Sequence, residues 1–158
     1  MGASDVETLD ELDRHLPEAG SIERAAIVPG VFLAWCANLD LLDRQFVAAH
    51  EREMLRVRMR DFTPAEFFVK TAGHRLGLEL LSESGRRFAI DHYPGYPAEF
   101  ANALGIDVER IYTAKDGWDT YDLVAKPLTA AYYAFARAGH KPHAERKHWW
   151  QLWRRNGS

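Results

Sequence analysis

The chain of 158 residues contains a single cysteine, Cys36, so an intrachain disulfide is excluded. Cys36 lies in the least polar part of the sequence, where cysteine usually behaves as a small buried hydrophobic residue. A nucleophilic thiol needs an electropositive and partly exposed setting, so we do not expect Cys36 to be catalytic. A chain of this length can bury a core without disulfides or metals, and we expect a reducing, cytoplasmic compartment.

Long hydrophobic runs are also missing. The longest, residues 25–37, contains Pro29 and Gly30 and is too short to cross a bilayer. Residues 1–20 carry six acids instead of a basic patch followed by an apolar run, so they do not resemble a signal peptide. The net charge of −3 argues against a dedicated nucleic-acid binder, which usually has a basic domain. We therefore expect neither a membrane nor a nucleic acid as partner.

Apolar residues recur at helical spacing in nearly every apolar segment, which predicts an all-α fold. The clearest stripe shares one helix face and comprises Ala25, Val28, Phe32, Trp35 and Leu39. Ser21 is a good N-cap for this helix, and Pro29, two turns in, should kink it or split it in two. We predict a single compact multi-helix domain over residues 1–139, organised around this kinked hydrophobic helix, and a basic aromatic tail over residues 140–158.

Local signals predict several other helix ends. Thr63 and Glu66 form a capping box with Pro64 at the first helical position, so a helix begins there and should end by Gly73. Residues 4–15 have the pattern of a short amphipathic helix, and a third helix should run from the turn at residues 40–43 to about residue 60. The remaining predicted ends are a stop at Pro17 and Gly20, N-caps at Ser82 or Ser84 and at Asp116, starts at Pro97 and Pro127, and stops at Gly105 and Gly139.

Five landmarks occur in a fixed order along the chain. They are the Leu16-Pro17 loop, the sequence Gly-Val-Phe-Leu-Ala-Trp-Cys-Ala at residues 30–37, the Thr-Pro-Ala-Glu-Phe at residues 63–67, Tyr93 with Tyr96, and the Trp-Asp-Thr-Tyr-Asp at residues 118–122. As an ordered set they resemble a family of small bacterial helical proteins of unknown function, with a Gly-x-Phe-Leu-Ala-Trp helix and a late Trp-x-x-Tyr-Asp motif. The resemblance covers residues 12–138. It departs at residues 11–15, where the family has a Trp-His pair and an acidic turn.

Small families of this kind often include immunity proteins, which neutralise a toxin made by the same cell. The resemblance therefore implies a non-catalytic protein that needs no cofactor and binds a cognate toxin or effector domain. Its surface should include the two ends of the chain, because residues 1–20 carry six acids against Arg14 and residues 137–158 carry six bases against Glu145. The predicted partner-binding residues are Asp5, Glu7, Asp10, Glu11 and Asp13 at one end and Arg146, Lys147, Trp149, Trp150, Trp153, Arg154 and Arg155 at the other.

Two features of the tail leave alternatives open. The three tryptophans would share a face if the tail is helical, and they could anchor a partner or cover the domain's own core. In a third interpretation they stack on single-stranded nucleic acid or lie on an acidic membrane, but the net acidic charge of the chain weighs against it. His140, His143 and His148 have spacings that a metal site could use, so a small metal-binding protein or enzyme centred on these histidines is the rival interpretation. We favour no metal site, because Lys141, Arg146 and Lys147 would repel a cation.

Overall fold

A computed structural model describes residues 7–139, and within them the protein is mostly helical, as the sequence predicts. Residues 7–139 form nine α-helices, one short two-stranded sheet and three 3₁₀ turns at residues 78–80, 93–95 and 108–113. In chain order the elements are β1 (Thr8–Glu11), α1 (Leu12–Ala19), α2 (Ile22–Ala25), α3 (Ile27–Asn38), α4 (Arg44–Ala49), α5 (Glu51–Arg58), α6 (Pro64–Thr71), β2 (Arg75–Gly77), α7 (Glu83–His92), α8 (Tyr96–Leu104) and α9 (Trp118–Ala138).

The described residues fall into two units, one ending at Lys126 and the other beginning at Pro127. The first unit contains every element from β1 to α8 and the start of α9. Of the second unit, the structure describes the rest of α9 and Gly139. The predicted tail at residues 140–158 lies outside the described residues. No helix within residues 7–139 combines the length and the apolar character needed to span a bilayer.

Helix α3 is the centre of the first unit, and eleven of its twelve residues are buried. Trp35 and Phe32 are 0% exposed, and the ring of Phe32 lies 5.0 Å from that of Tyr93 and 5.2 Å from that of Tyr96. A Cβ on Gly30 would lie 2.6 Å from the carbonyl oxygen of Pro64, so this glycine lets α6 approach α3 backbone to backbone. The predicted central hydrophobic helix is therefore confirmed.

The central helix is split in two, as Pro29 predicts. The Ser21 hydroxyl accepts a hydrogen bond from the Arg24 amide and caps α2, which ends at Ala25. A new helix, α3, then begins at Ile27. This break places Pro29 in the first turn of α3, where its missing N–H would have no acceptor within the helix.

The prediction of one helix over residues 4–15 is wrong. Residues 8–11 form β1, which pairs antiparallel with β2, Thr8 opposite Gly77 and Glu11 opposite Arg75. Helix α1 begins only at Leu12 and continues through Pro17. Gly20, at φ 87°, is its stop, as predicted.

Three further helix ends differ from prediction. The third helix is broken at His50 into α4 and α5, and Pro127 lies inside α9 instead of beginning a helix. Asp116 does not cap α9, because its carboxylate accepts hydrogen bonds from the Thr63 hydroxyl and the Ala65 amide at the start of α6. The predicted capping box of Thr63 with Glu66, the N-cap at Ser82 and the stop at Gly105 are confirmed.

Candidate functional site

The strongest concentration of polar contacts in the first unit surrounds the Asp10 carboxylate, near the end of β1. Asp10 is only 4% exposed. Its Oδ2 accepts a hydrogen bond from the Tyr93 hydroxyl at 2.6 Å, and its Oδ1 accepts from the Glu11 amide at 2.9 Å and from His15 Nε2 at 2.5 Å. Arg14, which is mostly exposed, adds a longer contact at 3.4 Å. A tyrosine hydroxyl, a backbone amide, an imidazole and a guanidinium group thus converge on one buried carboxylate.

These contacts decide the charge of Asp10. Burial alone would raise the pKa of this carboxyl, but the hydrogen bonds from His15 and Tyr93 and the positive potential of His15 outweigh burial and hold the pKa below its ordinary value. Burial raises the pKa of Tyr93 well above its ordinary value, and the negative charge of Asp10 raises it further. Asp10 is therefore the ionised acceptor of this network, and Tyr93 is a neutral donor.

His15 continues the network to the surface. Because a carboxylate only accepts hydrogen bonds, His15 Nε2 must carry the proton that is donated to Asp10. In neutral His15 the other nitrogen, Nδ1, then accepts the short hydrogen bond from the Tyr112 hydroxyl. A buried carboxylate therefore orients the imidazole, which in turn orients an outer tyrosine, and the rings of His15 and Tyr112 lie 5.7 Å apart.

The His15–Tyr112 pair opens into a cleft of about 200 Å³ between α1, α8 and the 3₁₀ turn at residues 108–113. Its apolar walls come from Val28, Pro97, Val108 and Ile111. Its polar lining consists of Asp10, His15, Glu18, Glu109 and Tyr112. Glu18 and Glu109 are exposed, so a small amphipathic cleft has two carboxylates at its opening.

The predicted acidic residues divide into three groups. Glu7, Glu11 and Asp13 are exposed and stay candidates for partner contact, whereas Asp5 lies outside the described residues. Asp10 differs from them: it is 4% exposed and hydrogen-bonded on both oxygens, so its carboxylate is an internal anchor that contributes only to the lining of the cleft. Glu18, which was not among the predicted partner-binding residues, is also exposed. We call Glu7, Glu11, Asp13 and Glu18 the acidic margin.

The backbone of the acidic margin is fixed to the rest of the unit. The Leu78 amide donates to the Glu7 carbonyl at 2.9 Å, and the Leu12 amide donates to the His74 carbonyl at 2.9 Å. Together with the pairing of β1 to β2, these bonds hold residues 7–12 against the segment of residues 74–78. The carboxylates of the acidic margin therefore belong to residues whose backbone is ordered.

The other predicted site residues were those of the tail. Arg146, Lys147, Trp149, Trp150, Trp153, Arg154 and Arg155 lie outside the described residues, as do His140, His143 and His148. Within residues 7–139, no three His, Cys, Asp or Glu side chains are arranged to hold a metal ion. The Cys36 thiol is buried, as predicted, and burial raises its pKa.

Five residues of this site were not predicted as site residues from the sequence: His15, Tyr93, Tyr112, Glu18 and Glu109. No local pattern joins them, because Tyr93 and Tyr112 follow Asp10 by 83 and 102 positions along the chain. The only sequence signal was the spacing of five between Asp10 and His15. That spacing is uninformative when residues 4–15 are taken to be one helix.

A family model matches most of the chain. Residues 9–114 match the family described as a domain of unknown function, DUF7832. These residues include Asp10, His15, Tyr93 and Tyr112, whereas the Trp-Asp-Thr-Tyr-Asp sequence at residues 118–122 lies beyond them. Among curated proteins and among solved structures, nothing matches the chain.

Proposed function

We propose that this chain, which belongs to the DUF7832 family, is a non-catalytic protein-binding protein of the bacterial cytoplasm. More specifically, we propose that it is an immunity protein, which binds and neutralises a toxin made by the same cell. The resemblance of its ordered landmarks to a family of small bacterial helical proteins suggests this class. The observation that supports it best is the acidic margin.

The acidic margin has the physical properties of a steering surface. Its four exposed carboxylates, those of Glu7, Glu11, Asp13 and Glu18, lie within twelve residues. Arg14 is the one lysine or arginine in that segment, and the fifth acid, Asp10, is buried. Because their backbone is already ordered, binding costs little conformational entropy there. A surface of one charge also speeds the encounter with a partner of opposite charge.

The negative charge of the acidic margin indicates the kind of partner that it would bind. A basic protein, such as a nuclease that carries cationic groups for its nucleic-acid substrate, would meet these carboxylates with favourable electrostatics. An acidic partner would instead require the basic tail. We therefore propose a basic toxin domain, contacted by the acidic margin.

The lining of the cleft also favours binding over catalysis. His15 is oriented as a histidine in a catalytic dyad would be, but none of the side chains lining the cleft is a serine, cysteine or lysine. Burial raises the pKa of Tyr112, and the nearby Glu18 and Asp10 raise it further, which makes its hydroxyl a poor nucleophile. The rival proposal, a metal protein or enzyme built on the tail histidines, is tested by the chelator experiment given in the Discussion.

The test is a survival assay in which the chain is co-expressed with the product of the adjacent gene. We expect the wild-type chain to protect the cell and a variant with Glu7→Gln, Glu11→Gln, Asp13→Asn and Glu18→Gln to protect much less. The matched control removes four exposed carboxylates elsewhere, through Glu51→Gln, Glu83→Gln, Asp91→Asn and Asp107→Asn, and should protect as well as wild type.

Two outcomes would contradict the proposal. If the neighbouring product is not toxic, or if survival never depends on this chain, the immunity function is wrong. If the chain protects and both four-site variants protect equally, the function stands but the acidic margin is not the contact surface. A circular dichroism spectrum of each variant checks that helicity is retained.

A further inference from the structure

We propose that the cleft beside His15 accepts an arginine side chain of the protein partner. This inference rests on the proposed function, since it names the group by which a basic partner would be held at the acidic margin. Glu18 belongs both to the acidic margin and to the lining of the cleft, so the two surfaces are continuous.

Hydrogen-bond complementarity supports this choice of ligand. The carboxylates of Glu18 and Glu109 can only accept hydrogen bonds. In neutral His15 the Tyr112 hydroxyl donates its proton to Nδ1, so its oxygen too is left as an acceptor. Both nitrogens of His15 are already engaged, by Asp10 and by Tyr112. A ligand in this cleft must therefore supply donors, and a guanidinium group has five donors and no acceptor.

The shape of the cleft fits an arginine side chain. Its volume of about 200 Å³ exceeds the roughly 150 Å³ of a cavity that holds a benzene-sized molecule. Val28, Pro97 and Ile111 provide apolar surface against which the aliphatic stem can pack, while the charged head reaches the carboxylates at the opening. The Tyr112 ring offers the planar guanidinium a face on which to stack.

Charge excludes an anionic ligand. Asp10 lies behind His15, Glu18 and Glu109 lie at the opening, and no lysine or arginine lines the cleft. Arg14, the nearest basic side chain in the network, is directed to Asp10. A cation with an apolar stem is therefore the ligand chemistry that both the walls and the polar lining accept.

The experiment uses small probes and the full chain, so it does not depend on the identity of the toxin. Nα-acetyl-arginine N-methylamide is titrated into isotopically labelled protein at low salt, and backbone amide shifts are followed by NMR. The neutral isostere Nα-acetyl-citrulline N-methylamide is the ligand control, and the corresponding lysine compound is a third arm. We expect saturable shifts centred on Ile111, Tyr112 and Glu18 with the arginine probe, weaker shifts with lysine, and none that saturate with citrulline.

Variants test the carboxylates directly. Glu18→Gln with Glu109→Gln should weaken binding of the arginine probe about five- to tenfold, because two exposed charge contacts are lost. The matched pair Glu51→Gln with Glu83→Gln should leave binding unchanged. Both pairs alter exposed side chains, so amide spectra away from the cleft should stay in place and show that the variants are folded.

Each result decides the inference. Shifts that are absent, that spread over the surface without saturating, or that are equal for arginine and citrulline would overturn it, as would full binding by the Glu18→Gln, Glu109→Gln variant. Stronger binding of the lysine probe would contradict the choice of arginine. If the chain binds the arginine probe saturably but gives no protection from the neighbouring toxin, the cleft is an arginine site and the immunity function is wrong. If the chain protects but binds no probe, the immunity function is supported and the arginine site is wrong.

Discussion

Replacing Asp10 with asparagine tests whether this residue is the buried, ionised acceptor of the network with Tyr93 and His15. The carboxylate accepts hydrogen bonds from Tyr93 and His15 at 2.6 and 2.5 Å, both to a charged group in a buried position. Such bonds contribute about 1.5–3 kcal/mol each, and an asparagine retains one acceptor while it turns an N–H towards a donor. We therefore expect Asp10→Asn to lower the free energy of unfolding by about 2–4 kcal/mol at pH 7.

The pH dependence of this loss follows from the lowered pKa of Asp10. A carboxyl whose pKa is lower in the folded state than its ordinary value of 3.8 contributes stability that is fully present above that value. That contribution is lost as the pH falls through the folded-state pKa, because the carboxyl becomes protonated in both states. The difference between wild type and Asp10→Asn should therefore shrink steadily as the pH falls below the ordinary value.

Urea unfolding followed by tryptophan fluorescence, repeated from neutral to strongly acidic pH, measures both effects. Asp91→Asn is the control, since Asp91 is exposed, and it should change stability by less than about 0.5 kcal/mol. A loss of less than about 0.5 kcal/mol for Asp10→Asn would show that the Asp10 network does not stabilise the fold. A loss that does not diminish in acid would show that Asp10 is not ionised in the folded protein.

Three further perturbations test the core and the rival metal proposal. Trp35→Ala should destabilise by about 3–5 kcal/mol, because truncating a fully buried aromatic leaves a cavity, and an unchanged urea midpoint would refute its burial. Gly30→Ala should cost about 1–2 kcal/mol, since overpacking against the Pro64 carbonyl exceeds the gain in helix propensity; thermal melts check this, and a stabilised variant would contradict the close approach. Excess chelator should leave the melting temperature unchanged, whereas a clear downward shift would support a metal site on the tail histidines.

Local signals predicted the elements whose ends are determined by nearby residues. The capping box of Thr63 with Glu66 is satisfied within one helical turn, so no distant contact is needed to fix the start of α6. Gly105 closes α8 in the same way, by adopting a positive φ of 71° that other residues rarely adopt. Pro29 predicted that the central helix is either kinked or split, and the structure shows the split, because the effect of a proline depends on its own ring and missing N–H.

Contacts between residues far apart in the sequence explain the predictions that were wrong. Residues 8–11 have a helical apolar pattern with the residues around them, yet they form β1 because Arg75–Gly77, more than sixty positions later, offers a strand to pair with. Asp116 has the chemistry of an N-cap, but it caps α6 instead of the helix that follows it. The candidate site is nonlocal for the same reason, since it needs Asp10, Tyr93 and Tyr112 to meet in space.

The most direct test of the proposed function is the association rate of the purified chain with the product of the adjacent gene, measured by stopped flow over a range of salt concentrations. If the ordered acidic margin steers a basic toxin, the rate should be high at low salt and fall steeply as salt screens the charges. The variant that neutralises Glu7, Glu11, Asp13 and Glu18 should associate more slowly and respond less to salt. No association, or a rate that is the same for wild type and variant at every salt concentration, would contradict the account.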